Sequence, residues 1–254
     1  MKPIALITGA TAGIGKATAL LLARNDFDVI LTGRRNDRLD QVEEEIRSKT
    51  PADVLSLCFD VRDREEVFRT LEALPERWKD IRVLINNAGL ASGLDLIHEG
   101  DMDDWERMID TNIKGLLYVT RALTPGMVER KAGHIINISS IAGKEVYEKG
   151  NVYCGTKHAV DALSKGMRID LVEHGIKVTS IDPGMVETEF SVVRFHGDQE
   201  RADGVYRGFT PLYAEDIAEA ILFAVTRPPH VNINDMLIMP SAQANAVKTV
   251  KKDL

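Results

Sequence analysis

The stretch Pro3–Asn25, PIALITGATAGIGKATALLLARN, decides the fold. Its opening run, Pro3–Thr8, is apolar without polar alternation, which reads as a strand covered on both faces. Glycines follow at 9, 13 and 15, and the helical sequence KATALLLARN begins at once. Because glycine has no Cβ, a turn built on these positions lets backbone N–H groups and a helix N-terminus approach a pyrophosphate. The spacing is GxxxGxG rather than GxGxxG, and a glycine turn alone is merely a strand–helix connection. Its place at the first strand–helix junction makes it a candidate nucleotide cradle, with Gly9, Thr11, Ala12, Gly13, Ile14 and Gly15 expected to line the phosphates.

Outward from this unit the same grammar repeats. Asp28–Thr32, Val54–Phe59, Val83–Asn86, His134–Ser139, Lys177–Ile181 and Met236–Met239 are further strand candidates. Between them run helical spacings, such as Leu39, Val42 and Ile46, or Ala159, Leu163, Met167, Ile169 and Leu171. This alternation implies an α/β chain: a single-domain, doubly wound Rossmann fold with a seven-stranded parallel sheet flanked by helices. Length alone permits one large domain or two small ones, and with no linker, repeat or low-complexity tract the reading is one domain over 1–254. The segment 190–210, FSVVRFHGDQERADGVYRGFT, breaks the alternation. It follows the sixth strand, beyond whose carboxyl end ligands bind in such sheets, so it is expected to form a lid over the substrate.

The formal charge of −7 argues against nucleic acid or an anionic membrane as partner, leaving a small molecule. No run approaches the ~18 apolar residues of a membrane span, and MKPIALITGA lacks the pattern of a signal peptide. Cys58 and Cys154 have no CxxC spacing, which suits free thiols and a cytoplasmic setting. The six histidines show no metal-ligand spacing, so no metal is expected. GxSxG is absent around Ser140, which argues against a hydrolase.

An NAD-binding fold of this kind has an acidic residue at the end of the second strand to hold the ribose hydroxyls. Here that strand ends in TGRR, and Arg34 and Arg35 suit the 2′-phosphate of NADP instead. Asp60 and Val61 are expected to flank the adenine, and Asn87 to lie near the ribose. Tyr153 and Lys157, in YCGTK, are four residues apart and share one helix face. An ammonium beside a phenol is expected to lower the tyrosine pKa, so that it exchanges a proton with a substrate hydroxyl near neutral pH. Ser140, at the end of GHIINISS, projects at the carboxyl edge of the sheet, where it can hydrogen-bond the substrate oxygen.

In chain order stand TGATAGIG, NNAG (Asn86–Gly89), NIKG (Asn112–Gly115), NISS (Asn137–Ser140), YCGTK and PGMVETEF (Pro183–Phe190). Carrying all of these in register, essentially the whole chain resembles the short-chain dehydrogenase/reductase family. The resemblance implies Tyr153 as proton donor and acceptor, Lys157 as its activator and holder of the nicotinamide ribose, and Ser140 as orienter of the substrate oxygen. It implies that Asn112 supports a water in the proton relay, that Ala88 and Gly89 join Asn87 at the cofactor, and that Pro183, Gly184, Val186 and Thr188 cover the nicotinamide. It also implies a homotetramer.

The strings DTNIKGLLYVTRALTPGMVER, GNVYCGTK and TEFSVVRFHGD resemble more narrowly the NADP-dependent 3-hydroxy acid dehydrogenases, also described as serine or L-allo-threonine 3-dehydrogenases and malonic semialdehyde reductases. Such substrates carry a carboxylate, and Arg194 in the 190–210 segment is the candidate partner, because a guanidinium grips a carboxylate bidentately. A broad ketoreductase or 3-oxoacyl thioester reductase remains the alternative within enzymes. An NADP-binding regulatory protein without catalysis is the alternative outside them.

Overall fold

The computed structural model describes residues 2–252; Met1, Asp253 and Leu254, the ends of the 1–254 span, lie outside the described residues. Strands β1 (Ile4–Thr8), β2 (Asp28–Gly33), β3 (Val54–Cys58), β4 (Ile81–Asn86), β5 (Gly133–Ile138), β6 (Ile176–Pro183) and β7 (Asp235–Ile238) form one sheet. Their order is β3-β2-β1-β4-β5-β6-β7, and every neighbouring pair is parallel. The chain winds outward from β1 to β3, then restarts on the other side of β1 with β4. The crevice at the carboxyl ends of β1 and β4 is therefore the topological switch point, where such sheets bind ligands.

The two-faced burial read from the sequence is seen in β1, all of whose residues are buried. Ala5 and Ile7 pack with residues of helices α1 (Gly13–Arg24) and α2 (Asn36–Lys49), such as Leu22, Leu39 and Ile46. Ile4 and Leu6 face the opposite layer, with Val67 and Leu71 of α3 (Arg64–Glu72). The same opposite layer holds Val119, Leu123 and Met127 of α5 (Leu116–Arg130), which α4 (Met102–Ile109) precedes. Each fully buried aliphatic side chain contributes roughly 1.5–3 kcal/mol by leaving water. No helix among the described residues is long and apolar enough to cross a membrane.

The long helix α6 (Asn151–Leu171) departs from its expected face. Met167 and Leu171 pack against the core, but Ile169 is 75% exposed, and the buried positions are Tyr153, Cys154, Thr156, Lys157, Val160, Asp161 and Ser164. This face is built on polar bonds into the sheet: the Asn137 amide donates to Ser164 Oγ at 2.9 Å, and Ser164 Oγ donates to the Val160 carbonyl. Apolar periodicity cannot register a face of that kind.

The segment after β6 is two short helices, α7 (Phe190–Arg194) and α8 (Gln199–Tyr206), joined at His196 and Gly197, both with positive φ. Helix α9 (Ala214–Val225) then returns to pack on α1 through the first core layer. Beneath the carboxyl end of β5, Lys144 reaches the carboxylates of Asp161 on α6, Asp235 at 3.2 Å on β7 and the fully buried Asp182 at 3.4 Å on β6.

His134, at the start of β5, is buried, with Nε2 2.8 Å from Thr179 Oγ1. Burial, assisted by the charge of Lys177, lowers its pKa from 6.5 to about 3. The unfolded chain thus binds near pH 6.5 a proton that the folded chain refuses until about 3, so this group destabilises the fold as pH falls through that window. Urea midpoints should drop between pH 7 and 5, and the drop should be smaller in His134→Gln, whose amide never charges. An equal drop in both proteins would assign the acid sensitivity elsewhere.

Candidate active site

The cradle closes as its glycines require. Gly9 and Gly13 have φ of +67° and +51°, and a Cβ on Gly15 would lie 2.3 Å from the Gly9 carbonyl oxygen and 2.5 Å from Asn87 Nδ2. Asn87 fastens the turn to the end of β4: its amide donates to the carbonyls of Thr8 (2.8 Å) and Gly9 (3.2 Å). Thr8 Oγ1 in turn accepts the backbone N–H groups of Asn87 and Ala88. Helix α1 begins after Ala12 without a side-chain cap or an acidic residue in its first turn. Its orphan N–H groups and positive dipole end therefore face the cleft ready for a phosphate.

A cleft of about 380 Å³ runs from this turn to Tyr153 and Phe190, lined by Thr11, Ala12, Ile14, Arg34, Arg35, Asp60, Val61, Gly89, Pro183, Gly184, Val186 and Thr188 among others. At its outer end Arg35 donates to Thr11 Oγ1 at 2.9 Å and to Glu189 at 3.0 Å, Arg38 reaches the other Glu189 oxygen at 3.2 Å, and Arg34 lies 3.6 Å from Asp60. Three half-exposed guanidiniums gathered here fit the extra phosphate of NADP. Arg38 was not among the candidates, although it stands three residues after Arg35 at the start of α2. Glu189 comes from beyond β6 and had no local signal. At the cleft's other wall, Thr188 packs over Gly13, and its hydroxyl accepts the Phe190 N–H.

Ser140, Tyr153 and Lys157 come together. Ser140 caps a short 3₁₀ turn; its Oγ accepts the Ala142 N–H at 3.1 Å and donates to the Pro183 carbonyl at 3.3 Å. Tyr153 sits in the first turn of α6 and lines the same cleft as Ser140, its ring edge-on to Phe190 at 5.7 Å. One turn later Lys157 Nζ donates to the Ile138 carbonyl at 3.0 Å and lies 5.9 Å from the Tyr153 ring centroid. Ser139 donates to the Lys157 carbonyl at 3.1 Å and so braces the helix.

Asn112 lies in a π-helical stretch, Asp110–Gly115. Its side chain exchanges hydrogen bonds with the backbone of Leu90 at 2.8 and 2.9 Å and donates to Thr156 Oγ1 at 3.0 Å. The side chain is thereby committed to clamping the loop after β4 onto α6.

The expected lowering of the Tyr153 pKa does not occur. Burial pushes the phenol well above its ordinary value, Tyr147 reinforces this, and the charge of Arg194 and the nearby Ser140 hydroxyl oppose it. Burial also brings Lys157 down to about 8, against the charge of Asp182. Removing both groups from water disfavours both charged forms, and the lysine ammonium is turned toward a backbone carbonyl rather than the phenol.

Arg194, at the end of α7, lines not this cleft but a small neighbouring pocket that shares Tyr153 with it and also holds Asp95, Asp101 and Asp104. Its Nε donates to the Gly93 carbonyl at 3.3 Å and its Nη2 to the Tyr147 hydroxyl at 2.9 Å. The guanidinium carbon stands 5.5 Å from the ring centroids of both Tyr147 and Tyr153. Among the described residues no carboxylate is ion-paired with it; the nearby Asp104 is held by Ser92 and His196. Tyr147 was not a sequence candidate, since nothing in its irregular loop marks it.

Residues 3–198 match the short chain dehydrogenase family. The chain is 48% identical over 250 residues to the NADP-dependent 3-hydroxy acid dehydrogenase YdfG of Salmonella typhi, covering 98% of this chain and 99% of the relative. It is 43% identical to sulfoacetaldehyde reductase 2 of Chromohalobacter salexigens over the full length of both. Among solved structures, the closed form of a serine dehydrogenase complexed with NADP+ matches with a TM-score of 0.91 and 44% identity, over 98% of this chain and 100% of that one.

Proposed function

The chain belongs to the short chain dehydrogenase family, and from that premise we propose that it is an NADP-dependent dehydrogenase of small 3-hydroxy acids. One observation carries the substrate class: a guanidinium with no ion-paired carboxylate among the described residues stands beside the Tyr153 ring. A partly buried Arg left so placed suits an anionic substrate, whose carboxylate it would grip while the hydroxyl two carbons away meets Tyr153. The names of the 48% and 44% identical proteins support the same class.

The glycine turn and α1 hold the pyrophosphate, and Arg34 and Arg35 hold the 2′-phosphate, with Arg38 behind them. Asp60 and Val61 flank the adenine, and Asn87, Ala88 and Gly89 lie along the ribose side. Pro183, Gly184, Val186 and Thr188 border the nicotinamide, which when bound exchanges hydride with the substrate carbon. Ser140 holds the substrate oxygen, and Tyr153 takes the hydroxyl proton in oxidation or returns it in reduction. Lys157 holds the ribose and places positive charge near the forming phenolate, while Asn112 keeps the loop after β4 against α6. Helices α7 and α8 act as the lid that excludes water, and a cytoplasmic homotetramer is the form we assign.

The test is nicotinamide absorbance with NADP⁺ or NAD⁺ against L-serine, L-allo-threonine, 3-hydroxypropionate and a simple secondary alcohol. Reduction of NADP⁺ by the 3-hydroxy acids is the expected result; turnover confined to neutral carbonyls or acyl thioesters would overturn the substrate class. The pH dependence follows from the raised phenol. Oxidation needs the deprotonated form, so its rate should climb from pH 6 to about 8, where Lys157 starts to lose the charge that assists it, whereas reduction uses the phenol and should stay flat below that point. Initial rates in both directions would check this, and an oxidation rate that levels off below pH 7 would contradict it.

A further inference from the structure

We propose that Tyr147 is a specificity residue: its hydroxyl and the Arg194 guanidinium together form a paired donor site for the substrate carboxylate beside Tyr153. This rests on the reading of Arg194 given above and adds to it a second donor from a different element, the loop before α6.

The inventory of donors points there. Tyr147 hydroxyl accepts from Arg194 Nη2 at 2.9 Å, and among the described residues its own proton is donated to nothing. A guanidinium has five N–H donors, of which Nε goes to Gly93 and one Nη2 hydrogen to Tyr147, leaving Nη1 uncommitted. Free O–H and N–H donors thus stand side by side, and a carboxylate has the lone pairs to accept both. The hydroxyl is polarised by the cation it accepts from, which strengthens its own donation. Burial raises the Tyr147 pKa, against the opposing charge of Arg194, so the phenol stays protonated at working pH.

The seat of Tyr147 is built for this geometry. Its ring packs with Leu90, Tyr153 and Cys154 in a small apolar cluster, an environment that favours polar contacts over water. Gly150 leaves room for it, since a Cβ there would lie 2.2 Å from the ring Cε2. The Asp104 carboxylate shares a small pocket with Arg194 but makes no ion pair with it, being hydrogen-bonded by Ser92 at 2.5 Å and His196 at 3.1 Å. The cation is left for a ligand, and Tyr147 holds it in place.

The experiment compares kcat/KM for 3-hydroxypropionate with that for its neutral methyl ester in the parent, Tyr147→Phe, Gly150→Ala and Arg194→Gln, with thermal midpoints measured alongside. The parent should prefer the acid. Loss of one hydrogen bond to a charged group should lower that acid-to-ester ratio by about 10-fold in Tyr147→Phe, and Gly150→Ala, which displaces the ring, should lower it in the same sense. Arg194→Gln should lower it further. If Arg194→Gln abolishes the preference while Tyr147→Phe keeps the parent ratio, or loses acid and ester equally, the role of Tyr147 is overturned and that of Arg194 stands. If Arg194→Gln keeps the preference, or the parent has none, the reading of Arg194 falls and this inference with it.

Discussion

Tyr153→Phe is expected to lower kcat by roughly 10²–10⁴-fold, the contribution of a positioned general acid–base group. The substitution removes one oxygen and little else. The ring is 8% exposed and packs edge-on against Phe190, and phenylalanine keeps that shape. Helix α6 and the cleft should therefore survive, and NADPH should bind as before, which a fluorescence titration would show. Turnover lost with binding kept would identify the hydroxyl as the proton carrier. Turnover kept would mean that the proton travels by another group, and Ser140 would be the first to examine.

Replacing both Arg34 and Arg35 by Ser is expected to weaken NADP binding by about 10²-fold, two charge-assisted hydrogen bonds at about 10-fold each, with NAD binding little changed. A second effect acts in the same direction. Glu189 is paired with Arg35 and Arg38, and without Arg35 its carboxylate is only half neutralised beside the incoming 2′-phosphate. These side chains are about half exposed, so the titration belongs at low salt, where screening is least. Equal weakening of both nucleotides would mean that the arginines serve to fix the turn through Thr11 rather than to read the phosphate.

What the sequence disclosed follows from which interactions are local. The strand, turn and helix of Pro3–Asn25 are set by neighbours along the chain, and the doubly wound sheet follows from repeating that unit. Tyr153 and Lys157 share a face because a helix repeats every 3.6 residues. Glu189 and Tyr147 were invisible for the opposite reason: their partners Arg35 and Arg194 lie 154 and 47 residues away, and no period links them. The direction of the Tyr153 pKa was misread because proximity to lysine is written in the sequence, whereas desolvation is a property of the assembled interior. The buried face of α6 escaped because it includes Thr156, Asp161 and Ser164, two of which bond Asn112 and Asn137 on other elements, and such residues count as polar wherever they stand.

Lys144 joins the loop that carries Ser140 to α6, β6 and β7 through Asp161, Asp182 and Asp235. Asp161 and Asp235 each have a second cation, Lys165 at 2.6 Å and Arg168 at 3.9 Å, whereas among the described residues Asp182 is ion-paired with Lys144 alone, so mutational tolerance there is unequal. Neutralising Asp161 or Asp235 leaves Lys144 paired with the other acids, whereas neutralising the lysine leaves the fully buried Asp182 with no ion-pair partner among the described residues, the costly half of breaking a buried pair. Drift in this family of contacts is therefore free to lose acids one at a time, but the lysine can leave only after Asp182 has gone.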